Sequence, residues 1–405
     1  MSPELRIDIL IDILIATVPL MLIFATLFAF TTWLERKALA RIQNRIGPNK
    51  VGIPCTRIGL FGLGQPAADG IKMIFKEDIV PRGADRLFHL LAPILALIPA
   101  MLVLCFLPLD FPWVNEDSVK AYLLDGAVIF FFAITGLNTL AVFMAGWASR
   151  NKYSLLGGMR AVAQMVSYEI PLVLSAVIVV MMVGSLNANS IADAQADWNW
   201  FVFTPWGFAA FVIFFISALA ETNRSPFDLP EAESEIIAGY FTEYSGFKFA
   251  LFFLGEYIAM FAISGLAVTL FLGGGAGPGV ASLSWLSAVW FLVKIFALIA
   301  VMIWLRGTLP RLRVDQLMGF AWKFLLPLSV LNIFIAGTAL HLMAGERLAD
   351  LDEKQPILHQ LMEGANPLVV AGLWIGALLI LYLAAKGLNQ LNRSNVRPRE
   401  YKYAE

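Results

Sequence analysis

The chain has 405 residues, 59% hydrophobic and 15% charged, with 29 Lys and Arg against 30 Asp and Glu and a formal net charge of -1. An ordinary soluble domain carries roughly 25% charged residues, and a soluble chain of this length has no way to hide so much apolar side chain. The class is therefore an all-α polytopic membrane protein; a β-barrel would show short alternating segments instead of runs of about twenty apolar residues.

Hydropathy predicts nine spans, at about 10–34, 88–109, 122–147, 161–184, 205–221, 248–272, 286–305, 322–344 and 366–385. Asp8 and Asp12 precede the first apolar run and no small-residue cleavage site follows it, so that run is expected to be a retained span, not a cleaved signal. Segment 35–87 holds ten basic residues, and further bases gather in the alternate loops and beyond the ninth span. That bias predicts an outer (periplasmic) N-terminus and a cytoplasmic C-terminus. Cys55 and Cys105 and the three histidines have no spacing suited to a metal, an iron–sulfur cluster or covalent haem. Any electrons are expected to arrive from another chain.

The first charged segment opens with Glu35-Arg36-Lys37 at the end of span one. Further on, Gly62-Leu63-Gly64-Gln65-Pro66 lacks the preceding strand of a dinucleotide fingerprint. Pro66 can instead open a short helix with Ile71, Ile74 and Phe75 on one side and Asp69, Lys72 and Lys76 largely away from it. Such a helix suits a membrane surface where an amphiphilic molecule enters.

The loop after span five carries six acids and one Arg across 221–243, against the positive-inside trend. Asp228 and Glu231 resemble a D-x-x-E helix cap, and Glu231 and Glu235 share a helical face. A solvated acidic face is the bland account; the sharper one is a set of coupled carboxylates whose protonation responds to a nearby charged or redox-active ligand. Glu169, Glu256 and Lys294 fall inside spans, where ionised groups are expected to pair, face the bundle interior or line a wet path. Arg306, Arg311 and Arg313 after span seven suit lipid headgroups, a docking subunit or a polar ligand head.

In order and spacing, Glu35-Arg36-Lys37, Arg45-x-Gly-Pro-Asn49, Gln65-Pro-x-Ala-Asp69, Arg160-Ala-Val-Ala-Gln-x-x-Ser-Tyr-Glu169, the run Ala220–Glu235, Trp304-Leu-Arg306 and Arg313-x-Asp315-Gln-Leu-Met318 resemble one family. It is the family of the H subunit, mitochondrial subunit 1, of proton-pumping NADH:quinone oxidoreductase, respiratory complex I. The resemblance implies an eight-helix core over residues 1–344, to which residues 345–405 add a ninth helix and a basic tail. It implies that Glu35, Arg36, Asp69, Lys72, Arg306, Arg311 and Arg313 line a quinone chamber and its approach. Glu169, Glu221, Asp228, Glu231, Glu233, Glu235, Glu243 and Glu256 are then expected to form a proton-coupling carboxylate path, with Lys294 an intramembrane base. Quinone is the implied substrate. Flavin mononucleotide (FMN), NADH and the iron–sulfur clusters belong to partner subunits, and no redox centre to this chain. The implied partners are peripheral-arm quinone-module subunits, small and antiporter-like membrane subunits and lipids of the bacterial inner membrane; nucleic acid is not among them. Three rivals stay open: the homologous subunit of an energy-converting hydrogenase or another quinone- or ferredoxin-linked relative, an independent transporter using Glu169, Glu256 and Lys294 for ion coupling, and a purely structural role that organises the membrane–arm junction without touching quinone. The lack of an internal repeat counts against the second.

Overall fold

The computed structural model describes residues 26–52, 61–104, 125–196, 198–229, 238–280, 283, 285–344 and 367–394. Most of the first predicted span lies outside the described residues, but 26–42 form its helical continuation, α1. The remaining helices are α2 (Gln65–Phe75), α3 (Arg86–Leu104), α4 (Ala127–Ala148), α5 (Lys152–Val183), α6 (Ala188–Asp193), α7 (Pro205–Glu221), α8 (Gly246–Phe271), α9 (Leu286–Thr308), α10 (Val314–Phe320), α11 (Leu326–Ala344) and α12 (Pro367–Ser394). Among the described residues, seven helices are long and apolar enough to cross a membrane, with α10 and α11 counted as one continuous span. The helix α7 is apolar but shorter. The architecture is thus all-α and polytopic.

Local chemistry sets the ends of these helices. The Thr204 side chain accepts from the Gly207 N–H at 3.1 Å with Pro205 in the first turn of α7, so an orphan donor is capped where proline loses nothing. The helix α5 starts nine residues before its predicted span because Asn151 caps it, and it stops at Gly184 in the left-handed conformation. Between α10 and α11 the chain makes a π-helical turn, Ala321–Leu325. The Trp322 indole in that turn donates to Ser167 Oγ on α5 at 3.1 Å.

The core lies where α5, α7 and α8 meet, around Trp206, Tyr168, Phe214, Phe261 and Phe271. The α3 and α4 helices pack together along one side, and α11 packs on α5 and α7. Polar contacts between the spans are few and specific; Asn332 on α11, for example, donates to the Trp206 carbonyl at 2.9 Å. Many large apolar side chains point outward, among them Ile129, Val293, Phe334 and Ile375. In water that would be a liability, whereas lipid leaves such faces unpenalised. The α12 helix packs on α11 and α7 through one narrow stripe that includes Ala377 and Leu381, and exposes most of its remaining surface.

Candidate functional site

The charged loops converge at one end of the bundle, and Glu35 sits at the centre. It lies one residue beyond the first predicted apolar run and is only 4% exposed. Tyr257 on α8 donates its hydroxyl to Glu35 Oε2 at 2.6 Å. Arg224, just past the end of α7, approaches Oε1 at 3.5 Å, and Arg306 on α9 donates to the same oxygen. Three segments far apart in sequence therefore close on one carboxylate, and buried charges of this kind are tolerated only when paired and hydrogen-bonded. The Arg224 guanidinium also lies 4.0 Å from the centre of the Tyr257 ring, a cation–π stack that fixes its plane. Burial opposes the Arg224 charge, yet Tyr257, Glu35 and Glu256 together hold its pKa above the ordinary arginine value. Two guanidiniums face one carboxylate, so the trio carries one net positive charge.

A second ion pair reaches the acidic loop. Arg311 binds Asp228 at 2.8 Å, and the Leu312 N–H donates to the Pro226 carbonyl at 3.2 Å. The basic segment after α9 is thus held against the loop after α7, and its Arg311 supplies a cation to Asp228. Gln164 on α5 anchors the same loop from below, its amide donating to the carbonyls of Ala220 at 2.7 Å and Phe227 at 2.6 Å. The sequence alone reads Asp228 as a helix cap or a coupled acid; here its geometry is that of an ion-pair partner. Glu231, Glu233 and Glu235 lie outside the described residues.

The surface helix expected after Pro66 forms as α2, with Ile71, Ile74 and Phe75 exposed. Asp69 on it pairs with Arg36 at 2.6 Å and accepts from Gln65 at 2.9 Å, while Lys72 is exposed. Behind α2, Lys248 on α8 pairs with Asp78 at 2.8 Å. Arg313 is exposed at the start of α10.

The remaining described acids have separate local partners. Glu243 accepts from Asn151 at 2.7 Å, and Glu256 accepts from the Tyr240 hydroxyl at 3.1 Å. Nearby, Tyr244 stacks flat on His89 with ring centres 4.1 Å apart, and burial pushes its phenol up. Glu221 is buried at the end of α7, within electrostatic reach of the half-buried Glu169 on α5. Lys294 lies apart from these acids. Its ammonium donates to the carbonyls of Leu272 at 2.6 Å, Gly274 at 2.9 Å and Ala276 at 2.7 Å, beneath the Trp200 ring. Those carbonyls close the far end of α8, where a cation also suits the helix dipole.

Sequence reasoning leaves Arg224 and Tyr257 out of the site. The signal is there: a lone Arg among six acids and a Tyr beside an intramembrane Glu both require partners. What it lacks is the long-range folding that brings residue 35 to residues 224, 257 and 306.

Fold and site together define a class, a multi-span helical membrane protein that gathers paired charges at one end of its bundle. A family model described as NADH dehydrogenase matches residues 15–337. The NADH-quinone oxidoreductase H subunit of Geobacillus kaustophilus (strain HTA426) is 50% identical over 318 residues, covering 78% of this chain and 90% of the relative. The H subunits of Geobacillus thermodenitrificans (strain NG80-2) and Bacillus mycoides (strain KBAB4) are each 48% identical, with the same coverage of both chains. The chain belongs to the family of NADH-quinone oxidoreductase H subunits.

Proposed function

We propose that this chain is the membrane subunit of a proton-translocating NADH:quinone oxidoreductase that forms the quinone-access chamber and part of the carboxylate path coupling quinone reduction to pumping. The observation that carries the reading is the buried Glu35 held by Arg224, Arg306 and Tyr257, with one positive charge in excess. A quinone headgroup gains negative charge as it is reduced. Preorganised cations nearby favour that change, and every coupled carboxylate then feels a different field.

In this reading Arg36, Asp69 and Lys72 form the approach from the membrane surface, and Arg306, Arg311 and Arg313 stiffen the chamber's base. Glu169, Glu221, Asp228, Glu231, Glu233, Glu235, Glu243 and Glu256 carry the charge change toward the antiporter-like subunits. Lys294 is an intramembrane base that stands apart from those acids, held by three backbone carbonyls. FMN and the iron–sulfur clusters sit in the partner subunits, and the peripheral-arm quinone module docks on the charged end. The N-terminus lies outside the bacterial inner membrane and the C-terminus in the cytoplasm. Residues 1–344 form the eight-span core, and 345–405 the extension with the ninth span.

Photo-crosslinking of native membranes with a short-chain azido-quinone tests this. Label is expected within 35–72 or 221–243, competed by excess quinone, together with co-purifying flavin- and cluster-bearing subunits. Specific label confined to other chains of the assembly would overturn the chamber assignment.

A further inference from the structure

Glu221 is 6% exposed, and its Oε2 has no hydrogen-bond partner among the described residues. A buried carboxyl oxygen left in that state is costly, and the usual remedy is water. A cavity lies against it, walled by apolar side chains of α3 and α8 and closed on one side by Thr135 and Asn138 of α4. Its volume open to water centres is about 20 Å³, above the roughly 10–15 Å³ that one water needs. A buried water also needs about two to four polar partners, and Glu221, Asn138 and Thr135 supply three. Thr135 and Asn138, three residues apart, share a helical face. The Thr135 hydroxyl already donates to the Phe132 carbonyl at 3.0 Å, so it meets a water as an acceptor. Between them, Gly136 has no side chain where a Cβ would come within 3.3 Å of Glu169 Oε1. The same turn of α4 therefore faces both glutamates.

We infer that this cavity is a water site in which Asn138 and Thr135 position a water against Glu221, making α4 the element that sets the hydrogen bonding of this carboxyl. The inference rests on the carboxylate-path reading and deepens it. The water donates to Glu221 when the group is ionised and accepts from it when protonated; no bond is made or broken in the site itself. Asn138 and Thr135 are positioning residues.

The test uses the assembled complex in membranes. Asn138→Leu fills the site without a hydrogen-bonding group, Asn138→Ser restores one with room to spare, and Thr135→Val removes the hydroxyl. Loss of one such hydrogen bond predicts about fivefold slower NADH-driven pumping for Asn138→Leu, with Asn138→Ser keeping more than half the wild-type rate. The infrared band of Glu221, assigned as the one lost in Glu221→Gln, is expected to shift in Asn138→Leu and Thr135→Val, which a merely structural role would not produce. Wild-type rates and bands in both variants, with pumping lost in Glu221→Gln and Glu169→Gln, would overturn the water site and leave the carboxylate path standing. Wild-type pumping in Glu221→Gln would overturn both. Where a variant fails to assemble, a high-resolution reconstruction of the wild-type complex decides: water density within hydrogen-bond distance of Glu221 and Asn138 supports the site, and a dry cavity overturns it.

Discussion

Removing a charge from the Glu35 trio and removing the hydrogen bond that the neutral Tyr257 hydroxyl donates to it have different consequences. Glu35→Gln leaves Arg224 and Arg306 facing each other without their shared counterion. Breaking a buried pair from one side costs about 3–5 kcal/mol, so this variant is expected to lower the thermal stability of the purified complex strongly. Tyr257→Phe deletes the 2.6 Å hydrogen bond but keeps the ring on which Arg224 stacks, and about 1–3 kcal/mol is at stake. A thermal-shift series should therefore rank the glutamine variant well below the phenylalanine one; the reverse order would mean that the tyrosine, not the ion pairs, holds the trio. Lys294→Met gives a third contrast. Losing a cation held by three carbonyls is expected to lower the melting temperature while leaving protons pumped per NADH unchanged. A drop in that ratio would instead make Lys294 part of the coupling path. From sequence alone Lys294 reads as a base in search of an acid, because hydropathy places a residue at a depth but says nothing of backbone carbonyls brought in from a neighbouring loop.

The helices themselves make the next set of demands. At Gly157 on α5 a Cβ would lie 2.4 Å from the Gly239 Cα, so the turn holding Tyr240 and Glu243 can approach only where both positions lack side chains. Gly157→Ala must push that turn away, and with it the Tyr240 hydroxyl from Glu256. Overpacking of this kind costs about 1–3 kcal/mol, read as poorer assembly on a native gel. Gly372→Ala on α12 is the matched control, since its Cβ meets nothing within 4 Å and alanine favours the helix by about 1 kcal/mol. Most elements are legible in the sequence. The runs of apolar residues predict α7, α8 and α9 to within three residues at either end and α3 and α4 to within five, because length and hydropathy largely decide a lipid-crossing helix, whereas α12 starts as predicted but runs nine residues past its predicted end. The early start of α5 and the π turn are not, since a cap and a tertiary anchor produce them and hydropathy carries no trace of either.

Across the whole molecule, charge and apolar surface are sorted into different territories. The ionised groups that the sequence flags lie mostly at one end, and pair across loops separated by as many as 271 residues. Residue types and loop positions can nominate the members of the site, but only the fold can say which acid meets which base. That is why Arg36 with Asp69, members of one set, and Arg311 with Asp228, drawn from two, emerge as pairs only in the fold. The α12 helix touches the bundle through one stripe only. A chain ending after residue 344 is accordingly expected to assemble and to reduce quinone at near the wild-type rate, measured as NADH:quinone activity in membranes. Loss of the whole complex from that strain would show that α12 is an assembly element.

The π turn at Ala321–Leu325 has a consequence of another kind. A π turn is equivalent to one residue spliced into an α-helical screw, and each residue advances the screw by about 100°. Everything beyond Leu325 is thus out of phase with α10 by more than a quarter revolution. With the Leu317 carbonyl of α10 accepting from the Tyr168 hydroxyl and Asn332 of α11 bonded to the Trp206 carbonyl, both halves are clocked against the bundle independently. Excising a single residue from the turn would rewind the screw and swing Asn332 out toward lipid, although no apolar contact had been altered by name. Along this span, the count of residues matters as much as their chemistry.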